Sequence, residues 1–309
     1  MKVVSFAGGA FPFVAPADDG YLSSMPPEGP VDVIPIFDAF CEPGNVVIDV
    51  GANIGITAVL AGAMVKGGRV IAVEPVTETF SFLVRNVRAS GLSNVECIRA
   101  AAAASDAGEL ALVTRPSANV AAFVGSTDTM ERYAGYSEVI APAMTLDAIV
   151  AEHGVESVDF VKIDVEGYEL EVLKGAEDLL RRFEPVVFLE VNHYCLNVFR
   201  RVSIVDFVDE VLSKFETVFA IDASFEVMDL TDRATHHVFF HENVVRGRFA
   251  NLICGPAARV TGPLERLRQG AADLADPAGG SDEVETDSGP PSAVPGSWAL
   301  RARKLLHRL

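Results

Sequence analysis

Between about residue 45 and residue 256 the chain alternates short, unbroken apolar runs with longer stretches whose apolar positions recur every three or four residues. The short runs predict strands at Val46–Val50, Arg69–Glu74, Asn94–Ala100, Val158–Asp164, Pro185–Val191, Glu216–Ile221 and Asn251–Cys254. Most are β-branched and lack polar alternation, the pattern of strands covered on both faces. In the longer stretches, Phe80, Leu83, Val84 and Val87 line one helical face, as do Leu170, Leu173, Ala176 and Leu180. Such helices pack one side on a sheet. The expected fold is therefore α/β, a seven-stranded, mainly parallel, doubly wound sheet with helices on both faces. The rhythm lapses at 104–145, where an extra hairpin is expected around Glu109–Thr114, beside a loop containing Phe123, Tyr133 and Tyr136. Loops at strand ends are where such folds recognise ligands.

This pattern defines one domain over residues 30–256, with an N-terminal extension at 1–29. Beyond it, 257–297 is expected to be an acidic linker. After Gly270 it carries Asp273, Asp276, Asp282, Glu283, Glu285 and Asp287 among Gly, Ser and Pro, too little apolar surface to offset the entropy of ordering. At 298–309, Trp298, Ala302, Leu305, Leu306 and Leu309 share one helical face and Arg301, Lys304 and Arg308 another. This tail is expected either to pack back on the domain or to make a weak, salt-sensitive contact with a partner or an anionic membrane surface.

Charge and cysteine usage remove whole classes of function. A formal net charge of −18 over 309 residues repels polyanions, so no nucleic-acid partner is expected. The four cysteines, Cys41, Cys97, Cys195 and Cys254, form no C-x-x-C, which disfavours a zinc site and a disulfide framework. The first residues loosely imitate a leader peptide, but a single lysine precedes the apolar run and Pro12 and Pro16 interrupt it. A cytoplasmic location is the expectation.

The chemistry centres on V-V-I-D-V-G-A-N-I-G at 46–55. Gly51 and Gly55 allow a tight turn and close backbone approach, and the helix that follows offers unpaired N–H groups to a ligand. A dinucleotide fingerprint would read G-x-G-x-x-G. Here Asn53 takes the middle position, and Ile56 stands where the third glycine belongs, which weakens a nicotinamide reading. Asp49 at the first strand end would repel a pyrophosphate and attract an ammonium or sulfonium. Glu74, closing the second strand, is placed to accept both hydroxyls of a ribose. A cationic nucleoside fits this combination.

The ordered set D-V-G-A-N-I-G (49–55), V-E-P (73–75), N-V-R-A-S-G-L-S-N-V (86–95), T-L-D (145–147), V-D-F-V-K-I-D-V-E-G-Y-E-L-E-V-L-K-G-A (158–176) and F-L-E-V-N (188–192) resembles the FkbM family of methyltransferases over about residues 30–256. The resemblance implies the class I methyltransferase, Rossmann-like sheet, S-adenosyl-L-methionine as methyl donor, and O-methylation of a hydroxyl on a sugar, glycolipid, polysaccharide or polyketide. Asp49, Gly51, Asn53, Gly55 and Glu74 match its donor motifs, and Asp164, Glu166 and Gly167 its K-I-D-V-E-G segment. Two rival functions are a nicotinamide-dependent oxidoreductase on a similar sheet and a non-catalytic donor-binding module.

Asp164, Glu166, Glu190 and His193 are the candidate catalytic residues, with Asn192 beside them. Each has a plain alternative. The acids at 164 and 166 suit a helix N-terminus, and His193 suits a loop. In the strand order the family implies, these groups converge near the donor methyl. A carboxylate raised in pKa by acidic neighbours, or His193, then removes the acceptor proton directly. Mg²⁺ held by the same oxygens is the disfavoured alternative. His236, His237 and His241 imitate a metal cluster without H-E-x-x-H, and no metal is assigned to them. Tyr194 joins the loop aromatics as a candidate for stacking on a sugar ring.

Overall fold

The computed structural model describes residues 1–17, 19–106, 108–114, 123–124 and 137–275, with backbone alone at 123–124 and 271–275. An N-terminal hairpin, β1 (Lys2–Phe6) and β2 (Gly9–Phe13), precedes β3 (Val46–Val50), β4 (Arg69–Val73) and β5 (Val95–Ile98). Next come β6 (Ala101–Ala102), β7 (Glu109–Thr114), β8 (Phe123–Val124) and β9 (Ser137–Met144). The chain then forms β10 (Phe160–Ile163), β11 (Val186–Glu190), β12 (Thr217–Ile221), β13 (Val227–Asp229) and β14 (Asn251–Gly255).

The main sheet runs β13-β12-β14-β11-β10-β3-β4-β5. The five strands from β11 to β5 are parallel, and β14 enters antiparallel between β11 and β12. Seven of its strands are those expected from the sequence, within a few residues at each end. The eighth, β13, is a correction. It has only three residues, all half-buried, too short to display any alternation, and it is held by pairing with β12. The hairpin expected near Glu109–Thr114 is β7 paired with β9 in a separate small sheet.

Alternating side chains of the central strands feed two cores. Ile48, Val50, Ile71, Val73, Val161, Ile163, Val187 and Leu189 point to one face, covered by the helices Leu146–Glu152, Glu169–Lys174 and Ile204–Leu212. Val47, Val70, Ala72, Phe160, Val186 and Phe188 point to the other, covered by the helices Ile34–Phe40 and Ile56–Met64. Burial on both faces is why these strands read as unbroken apolar runs.

The N-terminal hairpin joins the second core. Val4, Phe6, Phe11 and Phe13 are buried there together with Ala52, Ile54 and Leu83. The first part of the segment read as acidic linker also belongs to the fold: Ala257–Ala275 is a helix. Val260 and Leu264, one turn apart, are buried on the second core, and Arg259 Nη2 meets Asp159 Oδ1 at 3.0 Å. Apolar spacing of one helical turn outweighed the composition there. The rest of the linker, the tail helix at 298–309, Tyr133 and Tyr136 lie outside the described residues. Among the described residues, no helix is long and apolar enough to cross a membrane.

Candidate active site

The strand order reverses direction between β3 and β10, and the carboxyl ends of β3, β4, β10 and β11 open onto one crevice, the position at which open α/β sheets bind ligands. The turn after β3 owes its shape to three residues in left-handed backbone conformation, Gly51 (φ 76°), Asn53 (φ 51°) and Gly55 (φ 93°). Asn tolerates that region better than most side chains. The N–H groups of Gly51 and Ala52 both donate to the Val73 carbonyl at 3.0 Å, which pins the turn to β4. The glycines serve packing first. A Cβ on Gly51 would lie 1.9 Å from the Asp164 carbonyl oxygen, and one on Gly55 would lie 2.7 Å from Leu83 Cδ1. The close backbone approach expected for a ligand is therefore used by Asp164 and Leu83.

Glu74, immediately after β4, is 6% exposed. Its Oε2 accepts the Asn53 N–H at 3.0 Å and its Oε1 the Val76 N–H at 2.9 Å. Burial pushes its carboxyl up to about 7, against the pull of those two N–H groups and of Lys162. Each oxygen keeps a lone pair for a further donor, so the side chain ties the turn to β4 with acceptor capacity left over.

Asp49 departs from its expected place at the cationic end of the ligand. It is 0% exposed, accepts Thr57 Oγ1–H at 2.6 Å and meets Lys162 Nζ at 3.1 Å. Register places Lys162 directly beside Asp49 on the neighbouring strand. The ammonium also donates to the Gly51 carbonyl at 3.3 Å and stands 3.8 Å from Asp164 Oδ2. Burial opposes the Lys162 charge, but Asp49 and Asp164 outweigh it and raise the pKa. Asp49 thus neutralises a lysine under the turn after β3 and offers no surface to a ligand. Sequence reasoning passed over Lys162, although a charged residue inside the buried run F-V-K-I was a usable signal.

Asp164, Glu166 and Glu190 do converge. Asp164 follows β10, with its side chain 33% exposed. Glu190 ends β11 within hydrogen-bonding reach of it, and Glu190 Oε2 is buried without a hydrogen-bond partner. Burial, then the charges of Asp164 and Glu166, hold the Glu190 carboxyl well above the usual carboxylate range. The carboxylate expected to be raised by its neighbours is Glu190.

Glu166 sits at φ 53° and Gly167 at φ 97°. Glu166 Oε2 accepts Asn192 Nδ2–H at 3.3 Å and lies 3.4 Å from the Cys195 thiol. Asn192 in turn caps the following helix by accepting the Cys195 N–H at 3.2 Å. His193 opens that helix half-buried, and burial lowers its pKa, which keeps the ring neutral at pH 7. Tyr194 packs edge-on against Phe199, with ring centroids 5.9 Å apart.

Glu169 was also missed. It is 0% exposed, and its Oε1 accepts the N–H groups of Val165 and Gly167 at 3.2 and 3.0 Å, which locks the turn carrying Glu166. Burial pushes its carboxyl up to about 7, the two N–H groups pulling the other way. An acid raised from 4.5 takes up a proton on folding in that window. Its favourable contribution is complete below about pH 4.5 and is lost as pH rises through 7. For a buried group the difference is on the order of 3 kcal/mol. Glu169→Gln, which cannot titrate, is expected to lose less stability than the wild type between pH 5 and 8. Parallel melting curves across that range would remove the buried-acid assignment.

The histidines at 236, 237 and 241 lie elsewhere on a short helix, His236 bonding the Leu230 carbonyl at 2.7 Å. Among the described residues no group of three or more His, Cys, Asp or Glu is arranged to hold a metal ion.

Comparison with known proteins adds to this geometry. Residues 49–216 match the family described as Methyltransferase FkbM domain. Hexuronic acid methyltransferase AglP of Haloferax volcanii is 31% identical over 52% of this chain and 61% of its own length. The 31-O-demethyl-FK506 methyltransferase FkbM of Streptomyces tacrolimicus is 30% identical over 44% of this chain and 61% of its own. The chain thus spans about three fifths of the curated relatives it matches. A solved structure of Methyltransferase FkbM from Methylobacillus flagellatus gives a TM-score of 0.38 at 17% identity, covering 59% of this chain and 44% of that one.

Proposed function

Because the chain belongs to the FkbM methyltransferase family, we propose that it transfers the methyl group of S-adenosylmethionine to a hydroxyl of a sugar, glycolipid, polysaccharide or polyketide. The observation that carries this reading is the row formed by Glu74, the Gly51–Gly55 turn and Asp164 across the ends of three adjacent strands. Glu74 suits the ribose, and the turn suits the body of the donor. Asp164 then stands at the far end, where a methyl would meet an acceptor. When bound, the donor supplies an electrophilic methyl on a sulfonium.

The chain's own residues do the rest. Aligning an acceptor oxygen in line with the methyl is worth roughly 7–11 kcal/mol. Asp164 takes the hydroxyl proton as the C–O bond forms. Glu190, its carboxyl raised by burial and by the charges of Asp164 and Glu166, and Lys162, whose ammonium stands 3.8 Å from Asp164 Oδ2, flank it. Glu166 and Asn192 frame the same opening. No metal enters this scheme.

Two relatives are named for a hexuronic acid and for 31-O-demethyl-FK506, which supports a hydroxylated acceptor and leaves its identity to assay. Labelled-methyl transfer to neutral sugars, uronic acids and polyketide alcohols tests the activity. Calorimetry with S-adenosylhomocysteine and NAD tests the donor. Tight NAD binding alone would revive the oxidoreductase, and donor binding with no transfer to any acceptor would favour a non-catalytic module. Glu74→Ala is expected to weaken S-adenosylhomocysteine binding at least about tenfold, since a charge-assisted hydrogen bond is worth roughly 1.5–3 kcal/mol. Unchanged affinity in this variant would move the ribose away from β4.

A further inference from the structure

We propose that two helical segments beside the acceptor opening form a docking face for an anionic membrane surface. The helix His193–Cys195 runs into a π-helical turn, Leu196–Arg200, and the helix His236–His241 into another, Glu242–Arg246. The first pair follows β11. The second leads into β14, whose Asn251 is the register partner of Glu190, and the Ala250 carbonyl accepts the Val191 N–H at 2.7 Å. The buried Asn243 side chain hydrogen-bonds His193 and so ties the two together. Both therefore stand at the carboxyl edge of the sheet, next to Glu190 and Asn192.

Their outward side is unusual for surface helices. A helix that packs on a core keeps its apolar stripe inside, and here Phe239, Glu242 and Asn243 are the buried residues. The outer side of 236–246 nevertheless carries Val238, Val244 and Val245, which are 41%, 43% and 68% exposed, and Val198 in the first segment is 41% exposed. Positions 193–201 and 236–246 thus hold four of the nine exposed large apolar side chains among the described residues. One exposed valine needs no explanation, whereas such a concentration beside an active-site opening points to a contact surface.

Charge identifies the partner. The chain has 43 acidic side chains against 25 lysines and arginines, yet 193–201 contain no acid and 236–246 contain only Glu242. That carboxylate is enclosed, and Arg246 and Arg248 each meet it at 3.2 Å. The charges facing outward are those of Arg200, Arg201 and Arg246. Arg200 is held over the Tyr168 ring, 4.5 Å from its centroid, Arg201 is exposed, and among the described residues neither forms an ion pair. Valines and arginines without outward acids suit an anionic bilayer, where headgroups take the cations and apolar side chains enter the boundary with the acyl region. A two-fold contact of this face with a second copy would instead set arginines against arginines. Resting on the functional reading above, the docked orientation turns the opening beside Asp164 and Glu190 toward the headgroups and selects a glycolipid from the proposed acceptors.

Flotation of the full chain with vesicles tests the face without calling on methyl transfer. The wild type is expected to float with phosphatidylserine-containing vesicles at low salt, to be released as salt is raised, and to ignore vesicles of phosphatidylcholine alone. Val238→Glu/Val245→Glu is expected to bind at least about tenfold more weakly and Arg201→Gln about fivefold, with melting temperature and S-adenosylhomocysteine affinity unchanged. Arg301→Gln/Lys304→Gln/Arg308→Gln is the control and is expected to keep most of the binding. A wild type that does not float overturns the proposal. So does a loss confined to the control, which would give the contact to residues 298–309, or a valine variant that alters only the oligomeric state, which would give the face to a second copy. A wild type that floats yet binds no S-adenosylhomocysteine sinks the donor reading and leaves the docking face standing.

Discussion

Gly51→Ala is expected to abolish donor binding and to cost more than about 3 kcal/mol of stability, the combined scale of a left-handed backbone forced on an L-residue and of overpacking. The added methyl would lie 1.9 Å from the Asp164 carbonyl oxygen, and backbone atoms cannot swing aside as a flexible side chain does. Either β3 and β10 separate, or the turn flips. Separation breaks the Lys162–Asp49 pair, whose 3.1 Å contact spans those strands. A flip withdraws the Asn53 N–H from Glu74. Both results remove the donor site. Gly44→Ala is the matched control, because Gly44 also has positive φ, at 90°, but open space around its Cβ position. That change is expected to cost only the backbone share, about 1–2 kcal/mol. Thermal melts of the two variants, with S-adenosylhomocysteine calorimetry, make the comparison. Equal melting temperatures would mean that contact with Asp164 is not what fixes Gly51.

The same contact shows where reading the sequence stops. Strand positions were legible because burial on both faces leaves unbroken apolar runs, and Glu74 stood out as an acid that closes the second of them. The roles of Gly51 and Asp49 were not. Both depend on β10, more than a hundred residues later, pairing beside β3: Asp164 supplies the carbonyl that excludes a Cβ, and Lys162 the ammonium that claims Asp49. A rule linking an acid at the first strand end to a cationic ligand has no knowledge of a lysine arriving from the neighbouring strand. Tertiary burial likewise hid Glu169, whose sequence context E-G-Y-E reads as a helix N-terminus while its side chain is wholly enclosed. The helix Ala257–Ala275 escaped because acidic, Gly-rich composition after Gly270 masked the apolar spacing of Val260 and Leu264 before it. In the extension, Phe11 and Phe13 sit among prolines and glycines, and only packing reveals that they are buried in the second core.

Asp164→Asn is expected to lower kcat at saturating donor by at least about a hundredfold, the lower bound for losing a general base, while leaving S-adenosylhomocysteine affinity nearly unchanged. The geometry favours Asp164 over its neighbours. Burial and the charges of Asp164 and Glu166 raise the Glu190 carboxyl, which disfavours its anion as the base. Glu166 is spoken for by Asn192 and Cys195. His193 is neutral and able to accept a proton, but it opens the next helix, one residue beyond the Asn192 cap, whereas Asp164 is a partly exposed carboxylate directly at the strand end. His193→Ala is therefore expected to change kcat by less than Asp164→Asn does, and the reverse order would transfer the base to the histidine. Glu190→Gln supplies an internal check. An amide N–H can replace the acid's hydrogen bond to Asp164, so this variant is expected to keep far more activity than Asp164→Asn, whereas comparable losses would assign proton uptake to the pair as a unit. Metal chemistry is separated from all of these by EDTA. Activity is expected to persist in the chelator, and complete loss restored by Mg²⁺ would replace the carboxylate base with an acceptor hydroxyl acidified by a bound cation.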